Sequence, residues 1–128
     1  MTPRHYGGYV SVDWEVDGED IEPLLWCLRF VVGYYQPLDY FLRGVLTGEE
    51  SAPSGGDPGW LMYPERLADG RTVYQAWTNP DISYIDPCEG VYDEATVKRL
   101  VRRTLENFRK AQPERSVEVD EVIAKYCL

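Results

Sequence analysis

The chain predicts an α+β domain: an antiparallel sheet of about four strands, helices packed mainly on one face of it, and a helix pair at the C-terminal end. Three patterns carry that expectation. Residues 9–16 alternate with period two, with Val10, Val12, Trp14 and Val16 on one side and Tyr9, Ser11, Asp13 and Glu15 on the other, as in a half-buried strand with a solvated acidic face. Short runs at 60–63, 72–78 and 82–85 are rich in aromatic and β-branched residues and are separated by turn chemistry. Residues 20–46 and 93–126 instead carry apolar side chains at helical spacing.

In chain order, Asp17-Gly18 is a turn, and Asp20 opens a helix whose first turn tolerates Pro23 and whose positive end is opposed by Glu22. Leu24, Leu25, Leu28, Val31, Val32 and Tyr35 form its stripe, widened by Trp26, Cys27 and Phe30, so it packs on more than one side. Pro37 breaks the run, and residues 38–46 form a shorter helix that Thr47-Gly48 ends. Residues 48–59 hold Gly48, Gly55, Gly56 and Gly59 with Pro53 and Pro58, and are expected to have no regular structure. Trp60, at the exit of that loop, pins its end to the core.

The 60–63 strand is kept to an edge at its end by Pro64 and pairs with 72–78 through the turn at Ala68-Asp69-Gly70-Arg71. Asn79-Pro80-Asp81 turns into a third short strand at 82–85, and residues 86–90 close the sheet. Asp93 caps a helix with Val97, Leu100, Val101, Leu105 and Phe108 on one face and Lys98, Arg99, Arg102, Arg103, Arg109 and Lys110 around the rest. That basic stripe is read as a solvated face neutralised in part by the acidic N-terminal half. Pro113 stops the helix, and Ser116 is expected to cap a last one carrying Val119, Val122, Ile123 and Tyr126.

A chain of 128 residues with 44% hydrophobic and 27% charged side chains suits one folded domain spanning residues 1–128. Its net charge of −9 argues against direct nucleic-acid binding and favours a basic protein partner. The acidity is concentrated early: residues 1–91 hold 5 basic and 15 acidic side chains, residues 92–128 hold 8 and 7. Cys27, Cys88 and Cys127 have neither a CxxC spacing nor an even count, which points to a reducing compartment. With no signal-peptide pattern and no apolar run long enough to cross a bilayer, a cytoplasmic protein without membrane contact is expected.

Catalytic chemistry has little to draw on. His5 is the one histidine, neither a GxGxxG nor a Walker loop is present, and no cofactor or metal is expected. Cys27 reads as a core residue, and Cys88, between Pro87 and Glu89, has no activating neighbour in the sequence. A hydrolase built on two carboxylates stays open in principle, but no spacing singles out a pair. An enzyme is therefore not expected. Binding is better supplied, by acids and by aromatics such as Tyr34, Tyr35, Trp60, Tyr74, Trp77 and Tyr84 near loops or on short strands. The contact residues read from the sequence are Asp13, Glu15 and Asp17 with Glu49, Glu50, Asp57 and Trp60.

The run Phe41-Leu42-Arg43-Gly44-Val45-Leu46-Thr47-Gly48-Glu49-Glu50-Ser51, followed by Pro58-Gly59-Trp60 and Tyr63, resembles the small immunity proteins of bacterial polymorphic-toxin systems. So do Tyr92-Asp93-Glu94 at a helix start, Leu105-Glu106-Asn107-Phe108, Pro113-Glu114 and a closing helix near Tyr126. Within that group it resembles the immunity protein 41 family, alongside contact-dependent-inhibition immunity proteins. The resemblance implies a cytosolic antidote that binds and blocks one cognate secreted toxin domain, often a basic nuclease, by occlusion. It assigns no site residues, because immunity surfaces differ with each toxin. The alternative is a non-inhibitory adaptor or chaperone-like module that escorts a secreted effector.

Overall fold

The computed structural model describes residues 20–128. The strand expected at 9–16, and with it Asp13, Glu15 and Asp17, lies outside the described residues.

Helix α1 (Glu22–Val31) begins where the Asp20 carboxylate accepts the Glu22 amide at 2.9 Å, with Pro23 in the first turn. It buries Leu24, Leu25, Cys27, Leu28 and Val31. Helix α2 (Asp39–Thr47) ends at Gly48, whose φ of 71° lets its amide return to the Gly44 carbonyl. Then β1 (Gly55–Gly56), β2 (Trp60–Arg66), β3 (Thr72–Thr78) and β4 (Glu89–Asp93) form an antiparallel sheet in the order β1-β2-β3-β4. A helical turn, α3 (Pro80–Ser83), connects β3 to β4. Helix α4 (Glu94–Ala111) follows, then a 3-10 turn at Pro113–Arg115 and α5 (Ser116–Lys125).

The fold is α+β, as the sequence predicts, but two of its strands are not those expected. Residues 82–85 do not form a strand: Asn79 accepts the Asp81 amide at 3.0 Å and Pro80 takes the first helical position, so the chain enters α3 instead. The sheet does not close at residues 86–90 either, because β4 pairs with β3 from Trp77↔Glu89 to Val73↔Asp93. The loop before Trp60 contains regular structure: Gly55 pairs with Leu61 and Gly56 with Trp60. Since β1 reaches only Trp60 and Leu61, Pro64 falls on a stretch of β2 that β1 leaves uncovered, where its missing N–H costs no ladder bond. Ser116 is the first residue of α5, not its cap, and its hydroxyl donates to the Pro113 carbonyl at 2.8 Å.

The core lies between sheet and helices. Trp60, Met62, Tyr74, Ala76 and Tyr92 point inward from the strands and meet Leu24, Leu28, Val31, Leu42, Val97, Leu100, Val101 and Leu105 from α1, α2 and α4. Helix α1 lies across β2, β3 and β4, α2 backs β2, and α5 packs on α4. Asp93 caps α4 as expected, accepting the Thr96 amide at 2.7 Å.

Candidate functional site

With the helices on one side, the other face of the sheet meets solvent. Strand register arranges its outward residues as a grid of three rows: Leu61, Trp77 and Glu89; Tyr63, Gln75 and Val91; Glu65, Val73 and Asp93. Leu61, Tyr63, Trp77 and Val91 are 39%, 40%, 37% and 50% exposed, whereas their inward neighbours Met62, Ala76 and Tyr92 are at most 2% exposed. The alternation of these strands has therefore placed large apolar side chains on both faces. Gly55, opposite Leu61, adds no side chain to shield it. A depression of about 410 Å³ opens here, lined by Leu61, Tyr63, Gln75, Ala76, Trp77 and Glu89.

Every charged position of the grid is acidic: Glu65, Glu89 and Asp93. They occupy three corners, with Leu61 at the fourth. Gln75 Nε2 donates to Glu65 Oε2 at 3.3 Å, which ties that carboxylate to the aromatic floor. The Thr96 backbone amide is the main reason the Asp93 carboxyl is held below the usual carboxylate range, so this corner is charged at neutral pH.

The contact residues read from the sequence are not gathered at one place. Glu49, one residue beyond Gly48 at the end of α2, pairs with Arg43 of that helix at 3.3 Å, and Glu50, next in sequence, is exposed. Asp57 is exposed in the turn between β1 and β2, at the Leu61–Trp77–Glu89 end of the sheet. Trp60 does pin the loop, stacking on Phe30 and meeting Phe41 edge-on at 5.1 Å, but at 3% exposure it cannot touch a partner. Inward register, not proximity to the loop, decides its fate. Tyr74 is likewise buried at 3%, while Tyr34, Trp77 and Tyr84 reach solvent; Tyr35, read as part of the α1 stripe, lies beyond the end of that helix at Val31 and is fully exposed. Leu61, Tyr63, Glu65, Glu89 and Val91 were missed. The period-two signal across 61, 63 and 65 could have found the first three, because Met62 and Trp60 had to be the buried set.

Elsewhere the chemistry is structural. Burial pushes the Cys27 thiol up to about 12, although Sγ donates to the Leu61 and Trp77 carbonyls at 3.5 Å, so it is not a nucleophile at neutral pH. Among the described residues no group of three or more His, Cys, Asp or Glu side chains is arranged to hold a metal ion, and no helix is long and apolar enough to cross a membrane. The described ion pairs of the basic stripe on α4 are with C-terminal acids rather than with the N-terminal half: Lys98 with Glu94, and Arg109 with Glu106 and Asp120. Compared with protein-family models, with curated proteins and with solved structures, the chain matches none of them.

Proposed function

We propose that this protein is an immunity protein of a bacterial polymorphic-toxin system, a cytoplasmic antitoxin that binds a cognate basic toxin domain, a nuclease being the leading candidate, and blocks it by occlusion. The observation that supports this reading best is the outer sheet face, where exposed aromatic and aliphatic side chains lie inside carboxylate corners. Aromatic burial supplies affinity at such surfaces, while carboxylates steer a basic partner and match charges that a nuclease uses to hold phosphate. The resemblance of residues 41–51 and 58–63 to immunity proteins points the same way. No chemical step is involved.

Co-expression with the toxin domain encoded beside it tests the proposal. Growth should be restored, and the two proteins should co-purify as a stoichiometric complex with sub-micromolar affinity. Binding without rescue would make the protein an escort for a secreted effector, and failure to bind would remove the antitoxin reading.

A further inference from the structure

We infer that the outer sheet face is the docking surface for a cationic segment, whose Lys or Arg stems lie over Trp77 and Tyr63 and whose charged heads reach Glu65 and Glu89. For its natural partner this rests on the antitoxin reading; for its chemistry it rests on the face alone. Strand spacing makes the grid about 10 Å wide, and five residues of strand make it about 13 Å long, the footprint of one helix or one pair of strands. Within that footprint the floor is apolar and every charge is negative. Long basic side chains suit such a surface because the stem buries apolar area while the head stays at the carboxylates, and a guanidinium can stack on the indole of Trp77.

Charge decides between the possible occupants. A second copy docked by the same face would set three carboxylates against three, and like charges brought together in this way are strongly unfavourable. Residues 1–19 are unsuited for the same reason: they hold one cation, Arg4, against Asp13, Glu15, Asp17 and Glu19. A polyanion is repelled outright. What remains is a partner rich in Lys and Arg.

The full chain, isotope-labelled, would be titrated with a short amidated peptide alternating leucine and arginine, and separately with its leucine–glutamate counterpart. Saturable amide shifts should cluster at Leu61, Tyr63, Gln75, Trp77, Glu89 and Val91 with the basic peptide only and weaken at high salt. The double variant Glu65→Gln/Glu89→Gln, whose side chains are solvent-exposed and outside the core, should lower peptide affinity by roughly threefold or more, in line with exposed ion pairs. Shifts on α4 and α5 instead, equal response to the acidic peptide, or no effect of the double variant would overturn the inference. So would concentration-dependent shifts of the face without peptide, which would mean self-association, or contacts from residues 9–16 to the Trp77 ring. If the map holds but co-expression fails to rescue, the toxin is the wrong partner and the surface stands.

Discussion

Asp39 opens α2, and its carboxylate accepts hydrogen bonds from Lys125 Nζ at 2.8 Å and from the Tyr126 hydroxyl, so the last helix is latched to the second. Burial pushes the Asp39 carboxyl up, but the bonds from Lys125 and Tyr126 outweigh it and leave it below the usual range. Burial, then the bond to Asp39, raises the Tyr126 phenol. The two shifts act at opposite ends of the pH scale. A lowered carboxyl contributes stability above the unfolded value of about 4 and loses it as acid titrates the folded group. A raised phenol contributes fully below about pH 10 and loses its contribution as alkali titrates the folded group. Tyr126→Phe should therefore cost about 1 kcal/mol at neutral pH, with the gap from the parent narrowing above pH 10 and toward acid. Urea melts across pH would show this, and a gap constant with pH would assign the loss to packing instead. The sequence puts Tyr126 on the apolar face of its helix but gives no sign of Asp39, which is 87 positions away. Side-chain partners brought together by folding leave no local periodicity.

At the scale of elements, the long helices were legible because their apolar stripes persist over several turns, and β2 and β3 because turn residues bracket them. The misread pieces are short. Two glycines make β1, whose identity lies wholly in backbone pairing with Leu61 and Trp60, and β4 runs directly into the cap of α4. Residues 82–85 look β-like, yet the Asn79-Pro80 pair upstream winds them into a turn. The crossing of the loop over α2 was also invisible, and Gly44 marks it: a Cβ there would lie 2.0 Å from the Pro53 carbonyl oxygen. In an open helix, glycine to alanine gains about 1 kcal/mol from propensity. At this crossing the sign should reverse, because backbone on the facing segment cannot move aside as a flexible side chain would. Gly44→Ala is expected to destabilise by about 2 kcal/mol. A lower urea midpoint with an unchanged slope would be the signature, and a midpoint at or above the parent value would mean that the loop does not press on α2.

Across the described residues, α4 and α5 carry intermingled ion pairs, whereas the charged positions of the outer sheet face are all carboxylates. A partner approaching from a distance feels this distribution before any contact forms, so association rate is the quantity that reads it. Three sets of acids can be compared in complex with the toxin domain proposed as the partner. Glu65→Gln/Glu89→Gln should slow association about tenfold at low salt and much less at high salt, because the Debye length shrinks to about 3 Å at 1 M. Changing Glu49, Glu50 and Asp57 to amides should do less: Glu49 is already paired with Arg43, and the loop acids are divided between the end of α2 and the turn between β1 and β2. Asp13, Glu15 and Asp17 changed together to alanine test the acidic N-terminal segment, where a tenfold slowing at low salt would add it to the interface and an unchanged rate would remove it. Trp77→Ala separates steering from grip, since losing an apolar contact on the floor of the face should speed dissociation and leave association nearly untouched. If the loop acids slowed association more than Glu65 and Glu89, a partner would approach by the 48–59 loop rather than by the exposed aromatic floor.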